Sequence, residues 1–179
     1  MLLFALSSGC GTAKNTLAET AATERVPSTP QQHWRVLESM IDVEASPGEV
    51  WNDWSTVEGQ QEIFAARVIL NLQPMGLHEV WFLPDAPAGQ RGHENGRIVG
   101  WQRQKMLAFT WTMPPYMPMI RPHQTFVQVF FEPLDNERTR IFLYHTGFGT
   151  GQEWNEGYDY FAKVWPAVLA GYSEKKTGS

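Results

Sequence analysis

Two groups of residues in this 179-residue chain have types and spacing that could do chemistry. The first is His145 in Thr139-Arg-Ile-Phe-Leu-Tyr-His-Thr146, with Tyr158 thirteen residues on. Ile141, Leu143 and His145 alternate along a strand and so share one face. A histidine on an apolar face can orient a ligand oxygen or shuttle a proton. It can equally be a core residue tied to a backbone carbonyl or to the Tyr158 hydroxyl. The second group is the doublets His78-Glu79 and His93-Glu94. Neighbours on a strand face opposite ways, so neither doublet forms an acid–base dyad by itself. His93-Glu94-Asn95 reads as a solvated loop, and Glu79 as structural or exposed. No Ser-His-Asp arrangement is readable, so there is no sequence case for hydrolysis. The five histidines form no H-E-x-x-H or related ligand set, and no metal or cofactor is expected.

Composition narrows the field. Hydrophobic residues make up 42% and aromatics 13%, with eight Trp, enough for a core and for an aromatic-lined cavity. The net charge of −5 and the lack of a dense basic patch argue against nucleic acid as a partner. The single cysteine, Cys10, excludes an internal disulfide. It follows Met1-Leu-Leu-Phe-Ala-Leu6 and Ser-Ser-Gly, a pattern that resembles the lipobox of bacterial lipoproteins. The resemblance implies lipid on Cys10 and a membrane-anchored protein of the cell envelope; the alternative is a plain tail on a cytoplasmic protein. Residues 1–9 then form a signal segment and 10–31 a Thr/Ala/Ser/Pro-rich tether spanning roughly 25 Å as a coil. Residues 32–173 form the domain and 174–179 a tail.

Elements follow from periodicity and caps. A first strand is expected over 33–43. Ser46-Pro-Gly-Glu49 has the residues of a capping box with Pro at the first helical position, and Ser55-Thr-Val-Glu58 repeats the box for a second short helix ending near Phe64. Strands are expected over 67–72, 77–83, 96–102, 106–113, 123–132 and 139–146. Thr150-Gly-Gln-Glu153 reads as a third box, opening a long helix striped with Trp154, Tyr158, Phe161, Trp165, Val168 and Leu169. Pro166 should bend it. Antiparallel strands with helices on one face define an α+β class.

Four segments carry a family resemblance: Glu44-Ala-Ser-Pro-Gly-Glu-Val-Trp51, Arg103-Gln-Lys-Met-Leu-Ala-Phe-Thr-Trp111, Thr139 to Phe148, and Glu153-Trp with Tyr160-Phe and Trp165-Pro. The chain resembles the START-like (SRPBCC) superfamily, in the branch named for the activator of the heat-shock chaperone ATPase. The resemblance implies a helix-grip fold: a curved antiparallel sheet of about seven strands around the long C-terminal helix, with two short helices after the first strand. It implies no single activity, since the superfamily includes lipid carriers, hormone receptors, polyketide cyclases and co-chaperone domains.

These readings give three function classes. In the first, a small hydrophobic or amphipathic molecule sits between sheet and helix. His145, Trp111, Phe109, Trp101, Trp54, Tyr158, Phe161 and Trp165 are its candidate contacts, each with plain core packing as the alternative. The second is a cyclase- or dehydratase-like enzyme with His145 as acid/base and Tyr158 assisting. The third is a chaperone-partner module without ligand. The Met113–Pro122 loop is too apolar to lie idle. It forms a pocket lip, touches a membrane or partner, or folds back over the core. Phe126 and Phe130, out of phase with Val127 and Val129, offer an outer face that a second copy could cover as a homodimer, or that is an ordinary strand exterior.

Overall fold

The computed structural model describes residues 35–178. Cys10, the apolar N-terminal run and the tether lie outside them, as does the start of the expected first strand. Seven antiparallel strands form one sheet in the order β1-β7-β6-β5-β4-β3-β2. They are β1 (Leu37–Val43), β2 (Arg67–Leu70), β3 (Leu77–Trp81), β4 (Gly92–Gln102), β5 (Met106–Thr112), β6 (Gln124–Pro133) and β7 (Thr139–Thr146). β1 and β2 lie at opposite edges, so the segment between them crosses the sheet. It does so as α1 (Pro47–Ser55) and α2 (Val57–Phe64), and α3 (Gln152–Thr177) follows β7.

Local chemistry explains the starts. Ser46 Oγ accepts from the Glu49 N–H at 3.3 Å and Glu49 Oε2 accepts from the Ser46 N–H at 2.8 Å, a complete capping box with Pro47 at the first turn. α2 begins one residue later than its sequence signal. Ser55 closes α1, and Thr56 is the cap, accepting from the Gly59 N–H at 3.1 Å. Gly59 permits the close turn between the two helices, since a Cβ there would lie 2.2 Å from the Asp53 Cα. The expected box at Thr150 is not formed. Gly151, at φ 112°, precedes α3 without a side-chain cap. α3 runs unbroken through Pro166 to Thr177, past the expected domain end at 173.

Alternation sets the core. Val127, Val129 and Phe131 of β6 face the same way as Ile141, Leu143 and His145 of β7, and all are buried. α3 lays Phe161, Trp165, Leu169 and Tyr172 onto this face. Trp54 of α1 lies among Phe64, Phe131 and Tyr172, with ring centres 6.2–6.3 Å apart. On the opposite face the register aligns Met40, Phe142, Phe130 and Met106 across β1, β7, β6 and β5. Met40 and Phe130 in that row are exposed.

Candidate functional site

A cavity of about 380 Å³ opens where three segments meet. Phe82, Leu83, Ala86, Gln90 and Arg91 form one wall, between β3 and β4. Met113, Pro114, Pro115 and Tyr116 of the Met-Pro loop form another. Tyr160, Phe161 and Val164 of α3 close the third side, and His93, Trp111 and Thr112 lie at the sheet. The lining is mostly apolar and aromatic, as small-molecule sites usually are. A larger depression of about 840 Å³ lies on the outer sheet face, around Phe130, Phe142 and Tyr144, but it is a more open groove.

The Met-Pro loop takes two roles at once. Met113, Met117 and Ile120 are buried, while Tyr116 and Met119 stay exposed. An ion pair fixes the loop. Arg121 Nη2 donates to Glu94 Oε2 at 3.1 Å and to the Gly92 carbonyl at 2.9 Å, and its Nη1 donates to the Met113 carbonyl. Glu94 also accepts from the N–H groups of Gly89 and Arg91, both at 2.9 Å. One buried carboxylate therefore ties two cavity walls together. Burial lowers the Arg121 pKa and Glu94 opposes that shift.

Residues 93–95 correct the expected solvated loop. They belong to β4, and His93 and Glu94 are buried. The Gly- and Asn-rich stretch reads as a turn, but it holds an irregularity in the β3–β4 register, with Asn95 at φ 61°. Glu79, also buried, satisfies that irregularity. Its carboxylate accepts from the Asn95 N–H at 2.8 Å and from Trp81 Nε1 at 2.9 Å. Thr112 of β5 reaches this stretch through side-chain bonds, since the β4–β5 ladder pairs only from Ile98–Phe109 to Gln102–Met106. The Thr112 N–H donates to His93 Nδ1 at 3.2 Å, which places the ring proton on Nε2. The His93 ring stacks on Trp111 with centres 4.1 Å apart and lies over Gly96, where a Cβ would sit 2.1 Å from Nε2.

A second buried histidine stands beside it, with ring centres 5.3 Å apart. His78 Nε2 donates to Gln60 Oε1 at 2.8 Å, and Gln60 Nε2 donates to the Trp54 carbonyl at 2.8 Å, which fixes the amide. Among the described residues, His78 Nδ1 is then an acceptor without a hydrogen-bond partner, and His93 Nε2 a donor without one. The His78 backbone acts on His93, short of hydrogen-bond geometry. Desolvation pushes the His78 pKa down to about 3, and it holds His93 well below its ordinary value with help from His78 and Arg121.

His145 is placed differently. Trp165 Nε1 donates to its Nδ1 at 2.9 Å, and the indole can only donate, so the ring proton is on Nε2. His145 Nε2 donates to Thr125 Oγ1 at 2.7 Å, and Thr125 Oγ1 donates to the Trp111 carbonyl at 3.0 Å. Both ring nitrogens are therefore engaged, and burial brings the pKa down to about 3. Tyr158 does not reach them. Its hydroxyl donates to the Val36 carbonyl at 3.2 Å, and Arg35 covers its ring at 3.8 Å.

Of the eight candidate contacts, the structure brings Trp111 and Phe161 together in the cavity wall. Trp165 backs both, 5.1 Å from Trp111 and 5.9 Å from Phe161. Phe109 lies behind the wall, 4.5 Å from His78. Trp54, at the α1–α2 junction, is absent from the lining and is separated from Trp111 by Phe64, and its Nε1 has no hydrogen-bond partner among the described residues. Trp101 is half-buried near the end of β4. His145 and Tyr158 are absent from the lining. Sequence reasoning missed the wall contributed by 82–91 and the Glu94–Arg121 tie. Among the described residues, no group of three His, Cys, Asp or Glu could hold a metal ion.

A sheet wrapped on a C-terminal helix, with a cavity at one end, defines a helix-grip protein of the START-like superfamily. Residues 44–172 match the family described as Activator of Hsp90 ATPase homolog 1-like protein, and the chain belongs to that family. Among curated proteins none matches. Solved structures share the fold at low identity. A Mesorhizobium loti protein is 13% identical with a TM-score of 0.62, over 78% of this chain and 95% of that one. The Aha1 dimer of Colwellia psychrerythraea is 13% identical with a TM-score of 0.61, over 79% and 96%. An HSP90 activator from Plasmodium falciparum is 13% identical with a TM-score of 0.54, over 78% and 88%.

Proposed function

We propose that the protein binds a small hydrophobic or amphipathic molecule in the 380 Å³ cavity, against Trp111, Phe161 and Val164. The observation that carries this reading is the lining itself. Apolar and aromatic side chains from sheet, loop and helix converge on one half-open cleft, the lining that small-molecule sites usually have. His145 supports the wall by holding Trp165. Acid–base work by His145 has less support, because both its nitrogens are already bonded. An anchor on Cys10 would place the binding protein at a membrane of the cell envelope. Acylation that requires Cys10 tests this, and a Cys10→Ser protein that still labels with a fatty-acid probe refutes it.

A chaperone-partner role is the second reading, favoured by the family match and by relatives described as Aha1 and as an HSP90 activator. A homodimer fits alongside either reading. One solved relative is a dimer, and the Met40–Phe130 row gives this chain an apolar face for a second copy. Sedimentation of Phe130→Asp against the parent protein tests it.

The cavity reading is tested by extracting the natively purified protein and identifying bound molecules by mass spectrometry. A stoichiometric apolar compound is expected from the parent protein. None is expected from Ala86→Trp, which puts an indole into the cavity from a loop and leaves the core alone. Equal recovery from both would refute this binding site.

A further inference from the structure

The mouth of the cavity carries the inference. Phe82, Leu83, Tyr116 and Tyr160 all line it, and all four are exposed, Leu83 to 62% and Tyr116 to 66%. They come from three separate segments. Tyr116 and Tyr160 meet edge to face with centres 6.2 Å apart, joining the loop to the helix. Met119, in the same loop as Tyr116, is 77% exposed. Solvent contact by so many large apolar groups around one opening marks an interaction surface.

The side chains behind it indicate the partner. Trp81, which immediately precedes Phe82, is covered by two guanidinium groups, with Arg67 4.7 Å and Arg91 4.4 Å from its ring. Glu79 accepts from Trp81 Nε1 at 2.9 Å, so the arginines are not an unopposed basic patch, and what singles them out is their place beside exposed apolar groups. Tryptophan and tyrosine with arginine beside exposed Phe and Leu is the side-chain chemistry of a membrane–water interface. The arrangement also favours a lipid surface over a protein partner. A protein seated on the rim would close the cavity, whereas a bilayer both meets the apolar ring and supplies apolar molecules to it.

We propose that this rim docks on a phospholipid surface. Phe82, Leu83 and Tyr116 enter the headgroup–acyl boundary, and Arg67 and Arg91 meet headgroup phosphates. The idea deepens the cavity reading and rests on it for its purpose, which is exchange of an apolar molecule with a bilayer. Docking itself can be tested separately.

The experiment is co-sedimentation of the full chain with sucrose-loaded vesicles of phosphatidylcholine and phosphatidylglycerol. The protein carries Cys10→Ser, so that no acyl anchor contributes. Binding is expected, together with a loss of about tenfold or more in the partition constant for Leu83→Asp and for Tyr116→Asp. Both sites are exposed, so the melting temperature should not move. Val99→Asp, exposed on β4 and outside the rim, should bind as the parent does. Failure of the parent to sediment with vesicles overturns the proposal. So does parental binding by Leu83→Asp, or loss of binding confined to Val99→Asp. Ala86→Trp distinguishes the two claims, since it should lose the extracted ligand and still bind vesicles. Vesicle binding with no ligand in any variant would sink the cavity reading and leave the docking surface standing.

Discussion

The hydrogen-bond chain Trp165–His145–Thr125–Trp111 decides what His145 can do. Each link has a fixed direction, because the indole donates and the Trp111 carbonyl accepts. Trp165→Phe removes the donor and part of the ring volume, leaving a buried imidazole nitrogen unpaired beside a small cavity. A loss of at least about 1–3 kcal/mol is expected by urea unfolding. A loss near zero would mean that the link contributes nothing. The buried histidines also set an acid sensitivity. His78 and His145 stay neutral down to about pH 3, and His93 is likewise depressed, whereas unfolded histidines protonate near 6.5. The unfolded chain therefore binds more protons below 6.5, so stability is lost as pH falls from there. The slope is about 1.4 kcal/mol per pH unit per histidine, and unfolding near pH 5 should take up about three protons. The paired carboxylates Asp42 and Glu49, whose pKa values are lowered, add their own loss only at lower pH. Calorimetry showing unchanged stability between pH 6.5 and 5 would contradict this. The inward phase of His145 is legible from Ile141, Leu143 and His145. Its partners are not, since Thr125 and Trp165 each lie 20 residues away and periodicity gives a face, never a neighbour.

Elements follow the same division. Capping and alternation locate β6, β7 and α1 to within a residue or so, because each signal is local. β4 begins at Gly92 instead of 96, because the register irregularity at Asn95 resembles a turn in composition. β3 stops at Trp81, which releases Phe82 and Leu83 to the cavity mouth. Glu94 and Arg121 sit 27 positions apart, and neither has a motif around it. Arg121→Leu leaves Glu94 buried without its cation and frees the Met113 and Gly92 carbonyls. A cost of about 2–3 kcal/mol is expected. Faster amide exchange should follow in 83–91 and 113–123, with the sheet unchanged. Uniform loss of protection across the whole domain would show that the tie holds the fold and has no specific role in the cavity walls.

At the scale of the whole molecule, the family and the helix-grip architecture were legible from four segments in order, and the cavity's exact position was not. A sheet-and-helix pattern implies an interior. Its mouth depends on where the 82–91 and 113–123 loops settle, and those loops carry no periodic signal. The predicted contacts therefore fall partly on the wall, at Trp111 and Phe161, and partly in packed core behind it, at Phe109 and Trp165. The most direct measurement of cavity binding is a fluorescence titration with cis-parinaric acid, reading energy transfer from tryptophan, on the parent protein and on Val164→Trp. Val164 is half-buried in the lining, so the added indole occupies the cavity without emptying the core. Saturable binding to the parent and a loss of about tenfold or more in Val164→Trp, with the melting temperature kept, is the expected result. Equal affinity in the two proteins, or no saturable binding to the parent, would contradict a ligand site between sheet, loop and helix.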